Sequence, residues 1–221
     1  MAKALLSVAV LMAVKTAILF LVAGTAHWWQ AWLYLALYGA LSVAITVYLA
    51  LRDPSLLARR MKGGARAEAR PVQRVIMAIV TVAWVSLMVV PALDHRFGWS
   101  DMPDAVVILG DGLLLAGYLG IWLVFAENTY TAATVRVETG QTLVDTGPYA
   151  LVRHPMYAAA LPMLAGMPLA LGSWWGLVPM LLIGLILGWR MTDEERVLAE
   201  ELPGYANYRE RVRWRLVPGV Y

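Results

Sequence analysis

Long runs of apolar residues, separated by short polar segments, dominate the first 126 residues of the chain. A helix needs about 20 mostly apolar residues to cross the hydrocarbon core of a bilayer. Four runs meet this length and predict four spanning helices: Ala4–Gly24, Trp28–Leu51, Val75–Leu93 and Ala105–Ala126. Lys15 lies inside the first run and Asp111 inside the fourth, and we expect a structural pair between them, or snorkelling, before a functional role.

A fifth apolar stretch, Met156–Arg190, is interrupted by prolines and glycines. At a rise of about 1.5 Å per residue it is long enough for two short spans or a re-entrant hairpin that turns near Gly172-Ser173. The pattern therefore predicts an all-α, polytopic integral membrane protein with about six membrane-embedded helices. The last two form a short hairpin, and a cytoplasmic tail follows them. We expect residues 1–221 to form one domain, with the four spans in residues 1–126 and the polar motifs in residues 127–221.

The composition supports a membrane protein and excludes several other classes. Hydrophobic residues make up 61% of the chain and charged residues 15%, whereas soluble domains have about 45–50% and about 25%. A water-soluble globular enzyme, a disordered chain and a fibrous chain are therefore excluded as starting hypotheses. The absence of cysteine excludes disulfides, thiolate metal sites and a thiol nucleophile.

The basic residues are distributed unevenly and predict the orientation of the chain. Of the 18 Lys and Arg residues, all but Lys15 and Arg96 fall near the N-terminus, in the segments Arg52–Arg74 and Glu127–Arg153, or in the tail from Arg190. The positive-inside rule places these segments in the cytoplasm, which requires an even number of spans. The net charge of +3 is thereby explained by topology, so it does not indicate a nucleic-acid partner.

The densest polar motif is the run Gln141–Tyr157. Pro155 favours a helix that begins at this residue, with His154 directly before it. Because a helix N-terminus attracts anions, His154 and the neighbouring Arg153 suit a ligand carboxylate. The run is equally consistent with an Arg-His pair that faces lipid headgroups, with its tyrosines as interfacial aromatics.

Two further polar motifs follow towards the C-terminus. Arg190 and Glu194 are four residues apart and share one helix face, as either a surface ion pair or a contact for a ligand. In the tail, Arg211, Arg213 and Arg215 alternate with apolar residues. This alternation is strand-like or interfacial and by itself indicates a membrane-surface anchor.

Two familiar kinds of site are missing from the sequence. There is no G-x-G-x-x-G motif of a soluble nucleotide-binding fold and no H-E-x-x-H motif. His27, His95 and His154 are far apart in the chain, so we expect no metal site.

Taken together, the run Gln141–Tyr157, the Arg190 and Glu194-Glu195 pair, and the tail from Gly204 to Gly219 resemble the isoprenylcysteine carboxyl methyltransferase family. That family belongs with the integral-membrane phospholipid methyltransferases and related bacterial enzymes. The resemblance implies a bacterial-type member in the inner membrane, with an active site that faces the cytoplasm. It also implies that residues 127–221 bind S-adenosyl-L-methionine as methyl donor and release S-adenosyl-L-homocysteine.

The resemblance assigns roles position by position. Arg190 matches a catalytic, substrate-binding arginine, and Thr134 stands where eukaryotic members have a cofactor-contacting Gln. We also expect Tyr205 and Trp214 near the adenine or the sulfonium cation. The cofactor-binding residues implied are Gln141, Thr142, Leu143, Val144, Tyr149, His154, Pro155, Met156, Tyr157 and Glu194.

The expected reaction is carboxyl O-methylation of an isoprenylcysteine-like acid, with a lipophilic or lipidated substrate and membrane lipids as partners. A phospholipid amine or a small thiol is an alternative acceptor. A different class also remains open, in which the chain is a non-catalytic membrane protein or a transporter subunit with Lys15 and Asp111 on its path.

Overall fold

The computed structural model of the chain describes residues 1–62, 70–131 and 140–220. Two of the basic residues used for the orientation, Arg66 and Arg136, and the position Thr134 lie outside these residues. The described part is all-α and contains no strand. Its helices are α1 (Ala2–Ala23), α2 (Trp29–Arg52), α3 (Pro54–Arg60), α4 (Pro71–Phe97), α5 (Asp104–Glu127), α6 (Pro155–Ala170), α7 (Leu177–Glu201) and α8 (Tyr205–Arg211).

Helices α1, α2, α4 and α5 are long and apolar enough to cross a membrane. They contain 22, 24, 27 and 24 residues, which confirms the four spans predicted from the apolar runs. The largest difference is in α4, which begins at Pro71 instead of Val75 and continues through Pro91 to Phe97. Proline is favoured at a first helical position because the N–H that it lacks would have no intrahelical partner there.

The stretch Met156–Arg190 forms two antiparallel helices, as predicted. Helix α6 ends at Ala170, and the chain turns at Gly172, whose φ of 74° is in the left-handed region that favours glycine. Helix α7 does not end at Arg190 but continues without a break to Glu201. The predicted total of six membrane-embedded helices extends beyond the four candidate spans and stays a prediction.

Helices α5 and α6 pack closely because glycines lie at their contact. A Cβ atom on Gly110 would lie 2.3 Å from the backbone nitrogen of Ala170, and one on Gly166 would lie 2.5 Å from the Gly110 carbonyl oxygen. Small residues allow helix backbones to approach in this way within a membrane. Towards the other end of the pair, a Cβ atom on Gly120 would lie 2.7 Å from Ala159 Cβ. The start of α6 therefore lies beside the end of α5, where the functional site described below is found.

The two intramembrane charges do not form the expected pair. Lys15 is fully buried, and its Nζ donates a hydrogen bond to the Tyr34 hydroxyl at 2.9 Å. The same Nζ lies 4.0 Å and 3.9 Å from the ring centroids of Tyr38 and Trp84. Both carboxylate oxygens of Asp111 are buried and have no hydrogen-bond partner within the described residues. The pairing and snorkelling predictions are wrong because the electron-rich faces of aromatic rings surround the lysine instead.

Candidate functional site

A cavity of about 410 Å³ lies at the end of the bundle that carries the basic segments. Its walls come from α3 to α8 and from the segment between α5 and α6. The structure brings all eleven residues of the predicted site to this one cavity: Gln141, Thr142, Leu143, Val144, Tyr149, His154, Pro155, Met156, Tyr157, Arg190 and Glu194. Residues from two separate stretches of the sequence, Gln141–Tyr157 and Arg190–Glu194, thus share one cavity wall.

The start of α6 lies against the C-terminal tail. Pro155 is the first residue of α6, as predicted, and His154 is its N-cap residue. The backbone N–H groups of Arg153 and His154 donate to the carbonyls of Trp214 and Arg215 at 2.9 Å and 3.0 Å. The tail therefore pairs with the segment that forms the cavity wall, and the expectation of a membrane-surface anchor alone is wrong.

A buried carboxylate, Glu195, joins three segments behind that wall. Its oxygens accept hydrogen bonds from Arg153 Nε at 2.8 Å, from His154 Nε2 at 3.1 Å and from the Arg215 guanidinium at 3.0 Å. Burial alone would raise the pKa of Glu195, but the hydrogen bonds from His154 and Arg153 and their charge lower it to about 2.

Arg153 has a structural role that the sequence does not indicate. Its Nη1 also donates to the carbonyls of Val212 and Arg213, at 2.9 Å and 2.7 Å. The guanidinium thus holds the tail and the carboxylate of Glu195 with Nε and Nη1, while Arg153 also lines the cavity. His154 still lines the cavity while its Nε2 faces Glu195.

Tyr157 connects the two charged residues of α7 that the sequence singles out. Its hydroxyl accepts a hydrogen bond from Arg190 Nε at 3.2 Å and donates one to Glu194 Oε2 at 2.7 Å. Arg190 is only 6% exposed. A side chain this deeply buried is not a snorkelling arginine, so the interpretation as an exposed ion pair is wrong.

Gln73 of α4 orients the same arginine from the opposite side. Its carbonyl oxygen accepts from Arg190 Nη1 at 2.6 Å, and its amide nitrogen donates to Asp193 Oδ2 at 2.6 Å. Asp193 also pairs with Arg70 at 2.8 Å. Gln73 is completely buried, and the network fixes which of its amide atoms faces Arg190. The guanidinium of Arg190 is thereby held in place at the cavity wall.

The tyrosines of the tail close one side of the cavity. Tyr208 donates to the backbone carbonyl of Tyr149 at 2.8 Å, and the Tyr149 hydroxyl accepts from Asn128 at 2.9 Å. The hydroxyl of Tyr205 is buried and has no hydrogen-bond partner within the described residues, although Tyr205 lines the cavity. Trp214, expected near a ligand, lies outside the wall and is 39% exposed.

The cavity has two parts with different chemistry. We call the part at the helix ends, lined by Tyr149, Tyr157, Arg190, Glu194 and Tyr205, the polar chamber. The other part reaches into the bundle, and we call it the apolar arm. Its walls come from four helices, through Met77, Val80, Ile121, Ala160, Met163 and Leu187. The site therefore suits a polar ligand and an apolar ligand that meet near Arg190.

Several cavity residues belong to no sequence motif. Arg60, Asn128, Tyr130 and Thr131 line the wall, and Gln73 orients Arg190 from behind it. Arg60 lies in the basic segment Arg52–Arg74, whose charge is already explained by topology. A single Gln or Asn in a polar loop carries no sequence signal, because its role depends on the neighbours that the fold supplies.

Comparison with known proteins supports the resemblance seen in the motifs. Residues 105–203 match the family model described as phospholipid methyltransferase. This range covers α5, α6 and α7 and most of the residues around the cavity. The match confirms the resemblance to the superfamily of membrane phospholipid and isoprenylcysteine methyltransferases.

One curated relative is the cobalt-zinc-cadmium resistance protein CzcN of Cupriavidus metallidurans. It is 31% identical over 101 residues, which are 45% of this chain and 46% of the relative. The chain thus matches about half the length of that protein. Among residues 1–62, 70–131 and 140–220, no group of three or more His, Cys, Asp or Glu side chains is placed to hold a metal ion.

Proposed function

We propose that the protein transfers a methyl group from S-adenosyl-L-methionine to a lipophilic acceptor at the cytoplasmic face of the membrane. The preferred reaction is carboxyl O-methylation of an isoprenylcysteine-like acid. One observation carries this proposal: the eleven residues assigned by the motifs line one cavity that joins a polar chamber to an apolar arm. The family match of residues 105–203 to phospholipid methyltransferases supports the same class of reaction.

The residues of the polar chamber fit the methyl donor. The volume of about 410 Å³ is within the usual range for small-molecule sites, about 300–1,000 Å³. Glu194 offers a carboxylate for an ammonium or for ribose hydroxyls. The Tyr205 hydroxyl, which has no hydrogen-bond partner among the described residues, offers a further polar contact. Leu143 and Val144 supply apolar contact for a base. When bound, S-adenosyl-L-methionine supplies an electrophilic methyl group on a sulfonium centre.

The contribution of the protein to the reaction is to position the acceptor and to exclude water. Gln73 and Tyr157 hold the Arg190 guanidinium at the wall before any ligand arrives. A guanidinium in a fixed position can hold a carboxylate by two parallel hydrogen bonds. A carboxylate acceptor is already deprotonated, so the site needs no general base. Alignment and water exclusion then account for most of the acceleration.

A phospholipid amine is the second candidate acceptor, because the matching family model is described as phospholipid methyltransferase. An amine must reach the donor in its deprotonated form, and the fixed charge of Arg190 opposes a protonated one. A transporter subunit is less well supported, since the Lys15 amino group is fully buried among aromatic rings.

Binding of S-adenosyl-L-homocysteine to the detergent-purified protein, measured by calorimetry, tests the proposal. We expect binding to the native chain, weaker binding to Glu194→Ala, and native affinity for Glu200→Ala, which changes an exposed carboxylate on the same helix. Lipid extract incubated with enzyme and isotope-labelled donor, followed by mass spectrometry, then identifies the acceptor. Absence of binding to the native chain would refute the methyltransferase assignment.

A further inference from the structure

Two tyrosines of α8, Tyr205 and Tyr208, are three residues apart on one helix face but differ in what their hydroxyls contact. Their ring centroids are 5.8 Å apart, and both side chains are buried in one cluster with Leu202. The Tyr208 hydroxyl donates to the backbone carbonyl of Tyr149 at 2.8 Å. The Tyr205 hydroxyl has no hydrogen-bond partner in the part of the chain that the structure describes. Tyr208 thus anchors the tail through its hydroxyl, and Tyr205 packs there through its ring.

The buried hydroxyl of Tyr205 is unfavourable as it stands. It gives up its hydrogen bonds to water on folding and gains none from the described residues in return. Such groups are rare in folded proteins, so each one needs a physical explanation. Tyr205 is only 3% exposed, and it lines the cavity. A ligand in the cavity is therefore in a position to supply the partner.

The charges around Tyr205 restrict the kind of atom that its hydroxyl can meet. Burial and the negative charges of Glu195 and Glu194 raise the pKa of this hydroxyl, and the positive charge of Arg153 lowers it by less. The group therefore stays protonated and acts as a donor. Because the two carboxylates disfavour a further anion beside it, a neutral acceptor atom fits better than the carboxylate of the methyl donor.

The apolar neighbour of Tyr205 indicates which part of the methyl donor lies there. Leu143 packs against the cluster that contains Tyr205, and both Leu143 and Val144 line the cavity. A purine ring suits this apolar wall, and the nearby carboxylate of Glu194 suits ribose hydroxyls. The ring nitrogens of adenine and the oxygens of ribose are neutral acceptors of the kind that the Tyr205 hydroxyl requires.

We propose that the Tyr205 hydroxyl donates a hydrogen bond to the nucleoside part of the bound methyl donor, at an adenine ring nitrogen or a ribose oxygen. The proposal rests on the proposed function and refines it. The motifs place only the aromatic ring of Tyr205 near the donor, whereas the hydroxyl contact follows from the fold. Helix α8, which lies outside the matched residues 105–203, thereby becomes part of the donor site.

Tyr205→Phe tests the proposal because it removes the hydroxyl oxygen and keeps the ring. Its affinity for S-adenosyl-L-homocysteine is measured by calorimetry on the full-length protein in detergent. Displacement of that ligand then gives the affinity for 5′-methylthioadenosine, which lacks the amino-acid part. We expect both affinities to fall by about 3- to 10-fold, the range for one hydrogen bond from a neutral donor. The Tm without added ligand should equal or exceed the native value, because a phenyl ring needs no hydrogen-bond partner.

Two further variants remove the same atom elsewhere. Tyr48→Phe alters a side chain that packs on Trp122 away from the cavity wall, and it should bind both ligands with native affinity. Tyr208→Phe should lower the Tm, because it removes the hydrogen bond to Tyr149.

Three results for Tyr205→Phe would each overturn the proposal: native affinity for both ligands, a loss confined to S-adenosyl-L-homocysteine, or a Tm below the native value. The second would place the contact on the amino-acid part, and the third would give the hydroxyl a structural partner. All three leave the methyltransferase assignment intact, which fails only if the native chain does not bind S-adenosyl-L-homocysteine.

Discussion

The Glu195 cluster is expected to fasten the C-terminal tail over the cavity, and Glu195→Gln tests this directly. The glutamine keeps the shape of the side chain but removes the negative charge that faces Arg153, His154 and Arg215. The fall of the Glu195 pKa from 4.5 to about 2 corresponds to about 3 kcal/mol, at about 1.4 kcal/mol per pH unit. Loss of this charge should therefore destabilise the tail by up to about 3 kcal/mol.

The sign of the pH dependence follows from the lowered pKa. The folded state holds Glu195 in its charged form more strongly than the unfolded state does, so the stabilisation is fully present above about pH 4.5. It is lost as the pH falls from about 4.5 towards about 2. The native protein should lose thermal stability over this range, and Glu195→Gln should lack this component.

Two measurements on the purified protein check the expectation. Thermal unfolding in detergent should show a lower Tm for Glu195→Gln at neutral pH. Limited trypsin digestion should cut the variant faster at Arg213, whose carbonyl is held by Arg153 in the native fold. Glu200→Gln, an exposed change on the same helix, serves as control. Equal Tm values and equal cleavage rates for the two variants would refute the reasoning.

The other predictions concern the donor, the acceptor, the helix packing and the orientation. Arg190→Lys should keep affinity for S-adenosyl-L-homocysteine but lower kcat or raise the acceptor KM, because Lys cannot reproduce the bidentate contact; equal loss of donor binding would contradict this role. Glu194→Ala should weaken binding of the same ligand by about 10- to 150-fold in calorimetry, the range for one hydrogen bond to a charged group, and native affinity would place the donor elsewhere. Gly166→Val should lower the Tm strongly because its Cβ meets the α5 backbone, whereas Gly112→Ala, with open space beside it, should not; similar Tm values would contradict the packing. A cysteine at Lys62 should resist membrane-impermeant reagents added to intact cells, and labelling from outside would invert the orientation.

The spans of this protein could be predicted from sequence because the bilayer acts on each segment separately. A run of about 20 apolar residues is enough to predict a spanning helix. The predicted ends of α1, α2, α4 and α5 therefore lie within a few residues of the observed ends. The start of α6 at Pro155 is also local, since it follows from the fixed φ of proline.

Which residues line the site could be predicted only from the motifs that carry the family resemblance. The hydrogen bonds among those residues could not be predicted from the sequence. The resemblance selects eleven residues that line one cavity, yet spacing alone does not reveal that Tyr157 lies between Arg190 and Glu194. Arg60 and Gln73 reach the site from distant helices and belong to no motif.

The tertiary structure decided the partner of each buried charge. Lys15 and Asp111 suggest an ion pair in sequence, but the lysine contacts aromatic rings instead. The sequence pairs Arg153 with a ligand carboxylate, but in the fold its Nε binds the carboxylate of Glu195. The physical reason is that burial in the bilayer is a property of a single segment. The stability of a buried charge instead depends on the few groups within about 4 Å of it. Helix packing brings those groups together from distant parts of the chain.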